Sequence, residues 1–168
     1  MIRMDGVGKR YPGGKEALSG ISLQIDRGEL AFVSGHSGAG KSTLLRLIPL
    51  LERPTHGRIL VANASLARLP RRRIPLLRRG LGMIFQDPRL LYDRPVFDNV
   101  ALPLVIAGAS YRESGRRGRA ALDRVGLLHQ ERQYPVTLSS GEQQRVGIAR
   151  AVVTRPPIVL ADEPTGNL

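Results

Sequence analysis

The 168-residue chain contains no cysteine and no tryptophan. Without cysteine there are no disulfide staples, no thiolate zinc sites and no thiol nucleophile. Histidine is scarce too: His36, His56 and His129 stand far apart, which argues against a histidine-rich metal centre. No apolar run reaches the roughly 18 residues that a bilayer-spanning helix requires. The opening residues Met1-Ile2-Arg3-Met4-Asp5-Gly6 hold neither an apolar stretch nor a small-residue cleavage site. No secretory signal is therefore expected, and the cytoplasm is the default compartment. Acidic residues are few, 14 against 26 basic ones, for a net charge of +12. Lysine is almost missing from that excess, which consists of Lys9, Lys15, Lys41 and 23 arginines. Residues 1–84 carry +10 and residues 85–168 only +2, and six arginines with no acid lie between Arg68 and Arg79. Such a basic face suits a polyanion: nucleic acid, anionic lipid headgroups or nucleotide phosphates. Charge alone does not choose among them. Hydrophobic residues make up 42% of the chain, enough for one domain with a real core and too many for a disordered chain.

Alternation of apolar and polar residues predicts strands at 2–4 and 21–25, separated by the turn cluster Tyr11-Pro12-Gly13-Gly14. Leu30-Ala31-Phe32-Val33 is a short apolar run of strand type. Further strands are expected at Arg58–Val61 and 81–85, and a fully buried one at Ile158–Ala161. Residues 43–48 have helical composition, and Pro49 should end that helix because proline lacks an N–H and clashes with the preceding turn. A helix is expected over 112–128, weakened by Gly115 and Gly118, and a better one over 142–153. Strands alternating with helices argue for an α/β fold.

The stretch Gly35-His36-Ser37-Gly38-Ala39-Gly40-Lys41-Ser42 fits the phosphate-binding pattern of glycine, four residues, then Gly-Lys-Ser, between a strand-type run and a helix. Glycines let successive backbone N–H groups converge on one centre, and that nest holds phosphate oxygens. The helix that follows adds its positive N-terminal end. Lys41 can reach the β and γ phosphates, and the Ser42 hydroxyl can ligate Mg²⁺. Asp162, at the end of an apolar strand, is a second candidate for the metal, and Glu163 is placed to orient or deprotonate an attacking water.

These motifs resemble the ATP-binding-cassette (ABC) ATPases, and the resemblance runs over the whole chain. Its most specific mark is Leu138-Ser139-Ser140-Gly141-Glu142-Gln143-Gln144-Arg145, which resembles the family's signature segment. The resemblance implies a P-loop NTPase cassette with a mixed-sheet core and a helical subdomain. Residues 1–86 and 154–168 would form the nucleotide-binding core, and about 87–153 the glutamine loop, helical subdomain and signature helix. It implies ATP and Mg²⁺ as ligands. Tyr11 would stack on adenine. Gly35, His36, Ser37, Gly38, Ala39, Gly40, Lys41, Ser42 and Thr43 would hold the phosphates, and Ser139, Gly141 and Glu142 would approach the γ-phosphate from the opposite subunit of a head-to-tail homodimer. Gln86 would sense Mg²⁺ and the γ-phosphate, Ser42 and Asp162 would complete the metal set, and Glu163 would be the base. Within the family the likeness is nearest to the members that serve bacterial cell division, with the lipoprotein-release and macrolide-export members as alternatives. It implies a peripheral subunit on the cytoplasmic face of the inner membrane, working with an integral membrane subunit. No nucleic-acid partner is expected. A nucleic-acid-associated member and an inactive nucleotide-binding remnant are the other readings.

Three departures from the family pattern bear on function. Ser140 stands where glycine is usual; were that position left-handed, serine would cost about 1 kcal/mol. Pro49 follows the phosphate-loop helix where relatives carry a small residue. The chain ends at Leu168, before the aspartate, core strand and histidine with which complete members continue, so weak hydrolysis and an exposed strand edge are expected of it. Finally, Leu90, Leu91, Tyr92, Val96, Phe97, Val105 and Ile106 read as an apolar docking groove for a membrane subunit's helix. Arg89 and Arg94 would form its rim, and arginines 68–79 would face anionic inner-leaflet lipid.

Overall fold

The computed structural model describes residues 1–164, so the Thr165–Leu168 end of the last motif lies outside the described residues. The chain divides into two units, Met1–Leu77 and Arg78–Leu168. In the first, β1 (Ile2–Arg10) pairs antiparallel with β2 (Glu16–Ile25) on one side and with β3 (His56–Val61) on the other. The short β4 (Ala64–Ser65) completes the order β2-β1-β3-β4. Ile2, Met4 and Val7 of β1 are all buried although strict alternation would turn Val7 outward. A register shift between Met4 and Val7 inserts one extra residue that restores the phase. The helix α1 (Lys41–Leu47) buries Leu44 and Leu47, and it stops before Pro49, as proline's missing donor requires.

Leu30–Val33 is not a strand. Leu30, Phe32 and Val33 are exposed at 78%, 86% and 46%. A strand is defined by its ladder, and the described residues offer this segment no hydrogen-bonded neighbour. Local composition records the tendency to extend and says nothing of who pairs with it.

In the second unit, α2 (Ile74–Arg79) leads into β5 (Leu81–Ile84), which pairs in parallel with β6 (Ile158–Ala161). The strand expected to be fully buried is not: Leu160 is, while Val159 is 47% exposed, because β5 is its one neighbour among the described residues. Three helices build the rest: α3 (Val96–Ile106), α4 (Tyr111–Arg124) and α5 (Ser140–Val152). Their shared core includes Val96, Val100, Leu104, Leu122, Val146 and Ala149. Gly118, an apparent weakness in α4, is where α3 comes close: a Cβ there would lie 2.8 Å from the Phe97 ring.

The apolar segment 90–106 is therefore split. Leu90 and Val96, expected on the surface, are buried at 5% and 0% exposure, since Val96, Val100 and Leu104 share one face of α3 at four-residue spacing. Phe97 packs partly buried against the same core. Leu91, Tyr92, Val105 and Ile106 stay exposed. Asn99, fully buried, closes the loop before α3: its Oδ1 accepts from the Leu91 N–H at 2.7 Å, and its Nδ2 donates to the carbonyls of Leu91, Arg94 and Pro95. Asn99→Ala leaves those backbone groups without partners in a dry place. It is expected to lower unfolding free energy by about 2 kcal/mol, read from the urea midpoint.

Candidate nucleotide site

Gly40 makes the phosphate loop possible. It caps α1 at φ 93°, in the left-handed region, and a Cβ there would lie 2.4 Å from the Ala17 carbonyl oxygen. Both conditions exclude every other residue. The loop 35–39 is exposed, and the Ala39 N–H bonds the His36 carbonyl at 3.2 Å. The Lys41 ammonium folds back over the loop and donates to the carbonyls of Gly35 and His36 at 2.7 and 2.9 Å. These neutral acceptors hold the cation at the loop's mouth, where a phosphate oxygen is the stronger partner. The Tyr11 hydroxyl lies 3.2 Å from Thr43 Oγ1, and Lys9 Nζ sits 5.0 Å over the Tyr11 ring. Burial raises the Tyr11 pKa, so the ring stays a neutral phenol. The first unit thus brings together Tyr11, the loop glycines, Lys41, Ser42 and Thr43.

The second unit gathers the other candidates around the β5–β6 ribbon. Ile84 pairs with Ala161, and the Asp162 N–H bonds the Ile84 carbonyl at 2.9 Å, so Gln86, Asp162 and Glu163 leave the ribbon at one end. Glu163 has φ 47°, a strained backbone for a residue with a side chain and of the kind found at functional positions. The signature segment forms the start of α5. Ser139 is its N-cap, and its Oγ accepts from the Glu142 N–H at 3.3 Å. The Glu142 carboxylate accepts in return from the Ser139 N–H and Oγ–H, both at 2.8 Å, and from Gln130 Nε2. This is a complete capping box. The Ser139 backbone bond, then the Ser139 hydroxyl and Gln130, hold the Glu142 pKa down to about 2. Ser140 is the first residue of the helix and is absent from the positive-φ residues, so the expected cost of replacing glycine does not arise.

A profile of the family described as ABC transporter matches residues 18–166. The chain belongs to the ABC transporter family. It is 58% identical over all of its 168 residues to the cell division ATP-binding protein FtsE of Escherichia coli K12, spanning 76% of that protein. The FtsE of Bacillus subtilis is 49% identical, with 74% of its length spanned. The ATP-binding cassette MJ0796, solved as a dimer in a post-hydrolysis state with ADP and Pi, superposes with a TM-score of 0.94 at 36% identity, over all of this chain and 76% of that one. The fold expected from the sequence, an α/β P-loop cassette, is thereby borne out, and the chain is an ATPase of this family.

Two residues of this ABC cassette escaped sequence reasoning. Gln144 is 1% exposed, and its Nε2 donates to the carbonyls of Phe85 and Pro164, the neighbours of Gln86 and Glu163, at 3.1 and 3.4 Å. Arg150 donates to the carbonyls of Pro88 and Arg89. The signature helix therefore ties down both chain segments that leave the ribbon. The signal was available for Gln144: it shares the buried face of α5 with Gly147 and Ala151, and a polar residue there needs buried partners.

The capping box carries a pH dependence. Glu142 titrates near pH 2 in the folded chain against an ordinary 4.5, so its support of the fold is complete above pH 4.5 and fades as pH falls from 4.5 toward 2. Glu142→Gln is expected to flatten this part of the stability profile, measured as urea midpoints between pH 5 and about 2.5.

Proposed function

We propose that this chain binds ATP on the 35–43 loop and hydrolyses it within a head-to-tail pair of cassettes, as the ATP-driven subunit of a membrane complex in bacterial cell division. The observation that carries the nucleotide reading is the left-handed Gly40 with Lys41 poised over the loop's own carbonyls. The cell-division reading rests on the identity with FtsE along the whole chain. The proposed membrane partner is an integral subunit of the FtsX kind, docking near Leu91, Tyr92, Val105 and Ile106, which are exposed. Arg68 and Arg71–Arg73, also exposed, are suited to anionic lipid headgroups. Peripheral attachment agrees with the absence of any helix long and apolar enough to cross a membrane among the described residues.

In this reading the chain's own groups divide the work. The loop N–H groups and Lys41 bind and orient the phosphates. Tyr11 offers its ring to the adenine. Glu163 takes a proton from the attacking water, and Gln86 senses Mg²⁺ and the γ-phosphate. Ser139 and the Gly141 N–H approach the γ-phosphate of the partner cassette. Glu142, charged at neutral pH, would repel a phosphate, so its part is to hold Ser139 and the helix start in place. Ser42 of the first unit, with Asp162 and Gln86 of the second, would hold Mg²⁺: each carries a hard oxygen donor, and so few protein ligands would leave the ion's other positions to phosphates and water. Bound there, the ion would neutralise phosphate charge.

Two substitutions test this. Lys41→Ala is expected to weaken binding of a fluorescent ATP analogue by on the order of 100-fold, since it removes charge-assisted bonds to phosphate. Near-normal affinity would refute the site. Glu163→Gln keeps the size and loses the base; ATP binding should persist while single-turnover hydrolysis falls at least about 100-fold. Hydrolysis at the unsubstituted rate would remove Glu163 from that role.

A further inference from the structure

A cleft lies between α4 and the C-terminal end of α5, within the second unit and lined by none of the residues assigned above. It encloses about 80 Å³, several times the roughly 10–15 Å³ that admits one water. Its floor is apolar, built from Ala120 and Ala121 of α4 with Val152 and Val153. Its rim is four guanidinium groups: Arg116, Arg117 and Arg124 on α4, and Arg155 just past α5. Spacing of four residues puts Arg116 and Arg124 one turn to either side of Ala120 on a single helix face. Arg155 is fixed in the left-handed region at φ 50°, with its N–H bonded to the Val152 carbonyl at 2.8 Å.

The rim is short of negative charge. Arg117 is satisfied, since it donates to Glu113 at 3.0 Å and to the Val153 carbonyl at 2.8 Å. Arg116, Arg124 and Arg155 are exposed, and among the described residues no ion pair or side-chain hydrogen bond engages them. Glu113, the carboxylate that meets this rim, is already taken by Arg117. Three unneutralised guanidiniums around an apolar floor call for a ligand that is anionic at its edges and apolar in its middle.

We propose that this cleft binds an acidic segment of a partner protein, with one aliphatic side chain seated on the Ala120–Val153 floor and flanking carboxylates paired with Arg116, Arg124 and Arg155. Guanidinium and carboxylate match as two-pronged partners, which is why arginine dominates such recognition. The floor separates this ligand from others. A bare phosphate gains nothing from alanine and valine methyl groups. A bilayer surface or a duplex favours an extended basic face, whereas here the apolar part is recessed between two helices. The proposal does not depend on the nucleotide site and stands or falls separately from it.

The test uses the 168-residue chain and a fluorescein-labelled synthetic peptide in which one leucine is flanked on each side by two acidic residues, followed by anisotropy at low salt. Saturable binding is expected. The double variant Arg116→Gln/Arg124→Gln, and separately Arg155→Glu, should each weaken it at least about tenfold. Arg132→Glu, an exposed position in the loop between α4 and α5 that does not line the cleft, should leave it unchanged. Replacing the peptide's leucine by glycine should also weaken binding about tenfold, as loss of the apolar anchor requires. Unchanged circular dichroism in each variant separates lost binding from lost fold. The proposal is overturned if no peptide binding is seen, if the cleft variants bind as well as the parent, or if the glycine peptide binds as tightly as the leucine one. It is equally overturned if phosphatidylglycerol vesicles or duplex DNA bind the chain with the same dependence on Arg116, Arg124 and Arg155.

Discussion

Gly40 is the constraint on which the nucleotide-binding half depends. The chain must turn left-handed immediately before α1, and it must do so pressed against the Ala17 carbonyl. Only a residue without a Cβ satisfies both demands. Once that turn is made, the rest follows. The Leu44 N–H finds the Gly40 carbonyl at 2.9 Å and the helix starts. Lys41 becomes its first residue and points back over the loop, and Thr43 comes within hydrogen-bond reach of Tyr11. An exposed glycine-rich loop, a helix start and one cation then lie next to one another, and each is of a kind that favours an anion.

The second unit is organised differently, by one helix that reaches in two directions. The N-terminal end of α5 is locked by the reciprocal bonds of Ser139 and Glu142, with Gln130 buttressing the carboxylate. Its body grips backbone carbonyls on both sides of the ribbon through Gln144 and Arg150. One helix therefore bonds the chain next to Gln86 and the chain next to Glu163. An amide that donates to two carbonyls from a 1%-exposed position also leaves little room for substitution, because its loss strands two partly buried acceptors.

What the sequence made legible follows from where the determinants lie. The phosphate loop could be read because its geometry is dictated by its own residues: a left-handed turn demands glycine, and an anion demands lysine and N–H groups. The cap of α5 was legible for the same reason, since Ser139 and Glu142 bond each other. Leu30–Val33 was misread because a strand's existence depends on a neighbour that lies elsewhere in the chain or beyond the described residues. The helix α3 was hidden by Pro103 and by a buried asparagine whose task is to close a preceding loop. Leu90 and Val96 looked like surface because their partners sit on α4 and α5, tens of residues away. The worry about Ser140 came from fixing a residue's conformation by analogy; the helix begins at Ser140 itself, and serine there is ordinary.

The division of cations between lysine and arginine has the same physical root. The cation assigned to phosphate is Lys41, a compact ammonium that a small anion can approach closely. In the second unit, which has no lysine, the cations that hold the fold together are arginines. Arg150 is buried far enough that desolvation lowers its pKa, yet its planar fork still reaches two backbone carbonyls at once. Arg119 pairs with Glu131 at 2.8 Å while lying 5.4 Å over the Phe97 ring. An ammonium is more strongly hydrated and would lose more on entering either place. A chain with 23 arginines and three lysines can thus carry +12 and still bury part of that charge in structure. Where neither a carbonyl nor a carboxylate meets the guanidinium, as at Arg116, Arg124 and Arg155, the same weak hydration leaves a surface ready to exchange water for a carboxylate brought by another molecule.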